Sequence, residues 1–122
     1  MLGIINVALK NIVCLESALR YTALLNDKID LVEAFSTDAE LKQYQLRLLK
    51  DDISLFPAYQ GAPLMKAGFA AKNPQIVAAL NRLAGKISEA EMSEMNYRVK
   101  VQSESAERVA WDYLEKNRLL EK

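Results

Sequence analysis

The sequence has no histidine and a single cysteine, and these scarcities exclude much enzyme chemistry. Without imidazole, the chain lacks the most common general base and the most common nitrogen ligand of metal ions. Cys14 cannot form an internal disulfide, and because it lies in an apolar run we expect its thiol to be buried. Neither a glycine-rich phosphate loop nor a nucleophile motif is present. We therefore expect no metal ion, no cofactor and no enzymatic activity.

Excess charge and long apolar runs are also missing. The 122 residues include 16 Lys and Arg against 16 Asp and Glu, so a polyanion would not be steered toward the chain. This balance argues against nucleic acid or an anionic membrane as a partner. Apolar runs fall short of the roughly 18–20 residues that span a bilayer, and residues 1–9 do not have the pattern of a signal peptide. We expect a soluble chain, and the signal of an exported parent protein would lie upstream of it.

The apolar residues, 51% of the chain, are sufficient for a packed core and follow an alternating pattern. Short apolar runs predict buried strands, and helical spacing or capping residues predict helices over 17–26 and from 36–38 through 44. The strands are expected at residues 3–9, 11–15, 29–35 and 46–49. Strands that alternate with helices predict the α/β fold class, with a mostly parallel sheet.

Beyond residue 55 the pattern changes. Residues 56–63 form a crossover rich in proline and aromatic residues, after which we expect one more strand and then helices. Asn73-Pro74 predicts a helix that Gly85 ends, Ser88 and Glu91 form a capping box, and a last helix is expected from about Ser105. The sequence therefore predicts two partial lobes, of which the second is largely helical.

Paired carboxylates offer one possible catalytic site. Asp51 and Asp52 could act as general acid and base in a hydrolase if at least one of them had a raised pKa. The alternative, which we favour, is that such carboxylates cap helices or lie on solvated faces.

Two aromatic residues offer a binding site instead. Ligands of open α/β sheets bind at the carboxyl ends of strands, where Phe35 ends the predicted strand 29–35. Ser36 and Thr37 follow it at the start of the next helix, and Tyr59 lies in the stiff crossover. These four residues are the candidate ligand-binding residues. Ordinary core packing is the alternative role of the two rings.

Several of these segments together resemble a known family. They are RYTAL at 20–24, IDLVEAFSTD at 29–38, LKDD at 49–52, FPAYQGAPL at 56–64, LAGKIS at 83–88 and Met95-Asn96-Tyr97. In this order and spacing they resemble the substrate-binding proteins of ABC importers for glycine betaine, choline and carnitine. The resemblance extends from about residue 11 to residue 119, and it is to the C-terminal half of those proteins only.

The resemblance implies a partial type II periplasmic-binding-protein fold, in which two lobes enclose the ligand. Residues 1–55 would belong to the second lobe, and residues 56–122 would form the hinge crossover and the C-terminal part of the first. Aromatic rings of the family surround a quaternary ammonium group, and the matching positions here are Phe35 and Tyr59. Phe35 stands where the family usually has tyrosine, and Ala58 where it usually has a second proline. The remaining cage residues would come from the N-terminal half.

The implied partners are a quaternary ammonium compound and the ABC permease that receives it. The implied location is extracytoplasmic, through a lipid anchor or a fused permease in the parent protein. Another betaine such as ergothioneine remains an alternative ligand. A different alternative is a truncated assembly fragment without ligand affinity of its own, because open sheet edges favour a homo-oligomer such as an element-swapped dimer.

Overall fold

The regular secondary structure is entirely helical in the computed structural model, which describes residues 9–56 and 60–120. The helices are α1 (Arg20–Leu25), α2 (Ala39–Gln43), α3 (Ala67–Lys72), α4 (Pro74–Asn81), α5 (Glu89–Lys100) and α6 (Ala106–Lys116). The described residues divide into two compact units, one up to Glu33 that contains α1 and one from Ala34 onward that contains the other helices. None of these helices, formed within 9–56 and 60–120, has the length and apolar character needed to cross a membrane.

The helices predicted from capping signals are confirmed. The Ser88 hydroxyl accepts from the backbone N–H of Glu91, whose carboxylate accepts from the backbone N–H of Ser88, and this capping box begins α5. Ser105 caps α6 in the same way by accepting from the backbone N–H of Arg108. Pro74 is the first residue of α4, where its missing N–H costs no hydrogen bond.

Two predicted helix ends differ in detail. Helix α4 ends at Asn81, and a run of tight turns leads from there to Gly85, whose φ of +67° suits glycine. The N-cap of α2 is Asp38 and not a hydroxyl residue. In both places the local signal identified the right neighbourhood but not the terminal residue.

The predicted strands are not formed among the described residues. Residues 11–15, 29–35 and 46–49 are neither helix nor strand, and the run at 3–9 lies almost wholly outside the described residues. A strand exists only with a partner to complete its hydrogen-bond ladder, and β-propensity reflects a half-buried sheet surface more than the backbone itself. Leu31 and Leu49 are 58% and 64% exposed, so these segments have no such surface here. The mostly parallel sheet is therefore not confirmed.

The strand expected after the crossover is not formed among the described residues either, and the first regular element beyond residue 63 is the helix α3. This segment contains three alanines, the residue of highest helix propensity, and that signal favoured a helix.

Few apolar side chains are buried in the part of the chain that the structure describes. Tyr21 is buried in the first unit, and Ala39, Val109 and Tyr113 are buried in the second. Cys14, which we expected to be buried, is exposed. An apolar composition shows that a core is possible, but it does not say which surfaces meet.

Candidate functional site

A closed turn precedes α2 and contains three of the four candidate ligand-binding residues. The backbone N–H of Asp38 donates to the carbonyl of Phe35 at 3.0 Å. In return, the backbone N–H of Phe35 donates to the Asp38 carboxylate, also at 3.0 Å. Asp38 is thus both the N-cap residue of α2 and the side chain that closes the turn. We name residues 35–38 the Phe35 turn.

A hydrogen bond from a side chain of α5 attaches the Phe35 turn to that helix. The side-chain Nδ2 of Asn96 donates to the carbonyl of Thr37 at 2.9 Å, across 59 positions of sequence. Both residues are half-buried, and Ala39, which begins α2 directly after the turn, is 1% exposed. The small side chain of this buried residue suits the packing of α2 on α5.

Charged side chains attach α2 itself to the same helix. The Lys42 ammonium forms an ion pair with Glu94 and lies 4.3 Å from the centre of the Tyr97 ring. Lys100 forms a second ion pair with Glu40. Exposed ion pairs contribute little stability singly, but pairs at both ends of a short helix restrict how it can rotate on its neighbour.

The side chains of the Phe35 turn differ in their exposure to solvent. Phe35 is 49% exposed, so part of its ring is accessible, whereas Ser36 and Thr37 are half-buried. Tyr59, the other predicted ring of the cage, lies outside the described residues. The structure therefore brings Phe35, Ser36 and Thr37 together in one turn, and the pairing of Phe35 with Tyr59 stays a prediction.

The carboxylate pair proposed as a catalytic alternative has a structural role at Asp51. Its two oxygens accept from the backbone N–H groups of Phe56 and Leu55, each at 2.9 Å. These hydrogen bonds hold the pKa of Asp51 below its ordinary value. A general acid needs a raised pKa, so this shift does not favour Asp51 as the acid, and its two backbone hydrogen bonds give it the role of a turn-closing residue.

Sequence reasoning did not identify the residues of α5 that hold the Phe35 turn. Asn96, which donates to the turn, and Tyr97, which contacts Lys42 of α2, belong to a segment that carried the family resemblance, and this was the available signal. The contact of Asn96 with Thr37 could not be derived from the sequence, because no local pattern relates two residues that are 59 positions apart.

Comparison with known proteins adds an independent finding. Residues 9–116 match the family described as the substrate binding domain of ABC-type glycine betaine transport system. The chain is 35% identical over 116 residues to the carnitine transport binding protein OpuCC of Listeria monocytogenes, which is 95% of this chain and 38% of that protein. It is 32% identical over 107 residues to a glycine-betaine-binding protein of Pseudomonas aeruginosa, 88% of this chain and 34% of that protein.

A third relative combines two roles in its name. The ergothioneine transport permease/ergothioneine binding protein EgtU of Helicobacter pylori is 37% identical over 98 residues, 80% of this chain and 18% of that protein. The chain thus spans about a fifth to two fifths of the length of these relatives.

Proposed function

This chain belongs to the family of substrate-binding domains of ABC-type glycine betaine transport systems, and from that membership we propose that it forms part of a solute-binding component. The complete protein captures a quaternary ammonium compound between two lobes and delivers it to the membrane permease. Residues 1–55 belong to one lobe, and residues 56–122 form the hinge crossover and part of the other. The function is binding and transport, without catalysis.

The accessible ring of Phe35 is the observation that carries this proposal. It lies in a turn closed by Asp38 and attached to α5, at the position to which the family resemblance assigns a cage ring. A quaternary ammonium group has no N–H to donate, so hydrogen bonds cannot recognise it. It is attracted to the negative face of an aromatic ring instead, with about 0.5–2 kcal/mol for each contact.

The proposed site consists of Phe35, Ser36, Thr37 and Tyr59. Phe35 and Tyr59 supply ring faces to the cation, and Ser36 and Thr37 supply polar groups beside the first ring. Two or three ring contacts contribute about 1–6 kcal/mol in total, so micromolar affinity, or about −8 kcal/mol, also needs contacts from the rest of the closed cleft. Phenylalanine in place of tyrosine retains the ring face and removes one hydroxyl.

Several ligands fit this chemistry. The relatives are named for carnitine, glycine betaine and ergothioneine, each of which carries a trimethylammonium group. Choline carries the same group without a carboxylate. The cage is common to all four compounds, so the choice among them depends on groups that contact the rest of each molecule. The proposed location is extracytoplasmic, with attachment to the membrane through a lipid anchor or a fused permease.

Calorimetric titration of the complete protein with choline, glycine betaine, carnitine and ergothioneine tests the proposal. Phe35→Ala should weaken binding of the preferred ligand about three- to thirtyfold through loss of one ring contact. Tyr59→Ala should weaken it about tenfold or more. Phe69→Ala is the matched control, since the Phe69 ring on α3 is 47% exposed and has no assigned role.

Unchanged affinity in both Phe35→Ala and Tyr59→Ala would show that these two rings do not contact the ligand and have ordinary packing roles. Absence of a response to all four compounds in the folded complete protein would reject the ligand class.

A second candidate function has its own support. Large apolar side chains are exposed on the unit from Ala34 onward, among them Leu49 at 64%, Phe56 at 60% and Leu64 at 99%. Exposed apolar area of this kind favours association with another surface. The 122-residue chain would then be an assembly fragment that forms a homo-oligomer, such as an element-swapped dimer, without ligand affinity of its own.

A further inference from the structure

We propose that Asn96 is a positioning residue of the ligand-binding site, which fixes the Phe35 turn on α5 through the carbonyl of Thr37. The importance of this role for a ligand rests on the proposed function, because it assumes that the turn belongs to the site. The placement of the turn by Asn96 is a separate claim about the protein alone, and it can be tested without a ligand.

The hydrogen bonds of the Phe35 turn have two different ranges. Those between Phe35 and Asp38 connect residues three positions apart, so they determine the shape of the turn. The hydrogen bond from Asn96 to Thr37 connects residues 59 positions apart, so it fixes the position of the turn relative to α5. A turn with the correct shape but no attachment could still rotate about the start of α2 and carry the Phe35 ring with it.

The Thr37 carbonyl can accept a hydrogen bond from a donor on α5. The Thr37 carbonyl precedes the N-cap Asp38, and the first backbone bond of α2 uses the carbonyl of Asp38, accepting from Leu41. The Thr37 carbonyl is therefore available to a partner outside the helix. The Asn96 amide supplies an N–H group at 2.9 Å from a half-buried position near the middle of a twelve-residue helix. A helical backbone limits the rotamers of such a short side chain, so its donor has a defined direction.

The neighbours of Asn96 on α5 contact α2 itself. Glu94 and Tyr97 both contact Lys42, and Lys100 pairs with Glu40. These contacts hold the helix that follows the turn. Asn96 instead donates a hydrogen bond to the Phe35 turn itself, and this separates its role from that of the ion pairs.

Asn96→Asp is the decisive variant because it preserves shape and replaces the donor with a carboxylate oxygen. That oxygen would face the Thr37 carbonyl and repel it. Asn81→Asp is the matched control, since Asn81 is exposed at the end of α4. Amide hydrogen exchange of the 122-residue chain, followed by NMR, reports on each backbone N–H separately.

In Asn96→Asp we expect the amides of Phe35 and Asp38 to exchange about fivefold faster or more, the effect of one lost hydrogen bond. The amide of Val109, which donates within α6, should keep its wild-type rate. Asn81→Asp should leave all three rates unchanged. Unchanged rates at Phe35 and Asp38, or equal acceleration at Val109, would overturn the positioning role, because general destabilisation affects both regions.

Titration with choline and with glycine betaine decides what this placement means for binding. If the wild-type chain binds either compound, Asn96→Asp should bind it at least about threefold more weakly, since the displaced ring loses part of a cation–π contact. Unchanged affinity together with faster exchange would show that the ligand does not depend on the turn. If the wild-type 122-residue chain binds neither compound, the same comparison is made in the complete protein, where unchanged affinity of Asn96→Asp would overturn the role in binding, and the exchange rates still decide the role of Asn96.

Discussion

Among the described residues, three helices are followed by a residue other than glycine in the left-handed conformation. Asp27, Gln45 and Arg118 have φ values of 53°, 52° and 54° and follow α1, α2 and α6. At each end two backbone bonds return into the last turn, for example from Leu46 to the carbonyl of Leu41, which is the Schellman pattern. The pattern ends each helix. A side chain other than that of glycine at the left-handed position raises the free energy of the folded state.

Gln45→Gly should stabilise the chain by about 0.5–1 kcal/mol. Glycine removes the steric cost of the left-handed conformation, and part of that gain is offset by the greater freedom of glycine in the unfolded chain. Gln75→Gly is the control, because Gln75 lies inside α4, where glycine should destabilise by up to about 1 kcal/mol. Urea unfolding followed by circular dichroism measures both changes, and a lower midpoint for Gln45→Gly would contradict the argument.

Helices α5 and α6 are joined by a cluster of charges centred on Arg98. Its guanidinium donates to both oxygens of Glu104 at 2.8 and 2.6 Å and to Asp112 at 2.7 Å, and Arg108 pairs with Asp112 from the other side. Beside the cluster, the hydroxyl of the buried Tyr113 donates to the carbonyl of Lys86 at 2.8 Å. A bidentate arginine with a second carboxylate has a defined geometry, so it orients the two helices as well as attracting them.

The Arg98 cluster should make stability depend on pH. Hydrogen bonds from Arg98 lower the pKa of Glu104 below 4.5 and that of Asp112 below 3.8, their ordinary values. Because both pKa values are lower in the folded chain than in the unfolded chain, the two carboxylates stabilise the folded state, and this stabilisation is complete at pH values above their ordinary pKa values. It is lost as the pH falls through the folded pKa values.

In Arg98→Gln the carboxylates of Glu104 and Asp112 lose the Arg98 guanidinium. We therefore expect a lower free energy of unfolding at pH 7 and a smaller loss of that free energy between neutral and acid pH. The exposed Arg47, changed to Gln, is the control and should keep the wild-type pH dependence. Urea midpoints measured from pH 7 down to about pH 3 compare the three proteins. The same acid-side loss in Arg98→Gln as in the wild type would show that other carboxyls control it.

The described part of the chain buries few apolar side chains for the composition of the sequence. Among the described residues of each compact unit, most large apolar side chains are at least partly exposed, and the buried apolar residues are Tyr21 in the first and Ala39, Val109 and Tyr113 in the second. The chain also spans less than two fifths of the relatives it matches. Apolar surface of this extent is what a binding lobe or an oligomer would cover.

If the assembly alternative is correct, the 122-residue chain should sediment as a dimer or larger species at high micromolar concentration. Leu64→Ser and Phe56→Ser together should shift it toward the monomer, since these side chains are 99% and 60% exposed. Ala110→Ser, on the exposed part of α6, is the control and should not change the distribution. A folded wild-type monomer at that concentration would reject the assembly alternative.

Local signals were enough to predict most of the helices. Ser88 with Glu91, Ser105 and Asn73-Pro74 each act within a few residues, so the cap can be recognised without knowing what the helix packs against. Family membership could also be predicted, because linked segments in a fixed order are a property of the sequence. The candidate turn was found for the same reason, since Phe35, Ser36 and Thr37 lie within one such segment.

The tertiary structure decided what depends on distant residues. Residues 29–35 have the composition of a strand but no neighbouring strand among the described residues, and a ladder cannot form from composition alone. The exposure of Cys14 and Phe35 likewise depends on which surfaces meet. The contact from Asn96 to Thr37 joins residues 59 positions apart, and only folding brings that donor to that carbonyl.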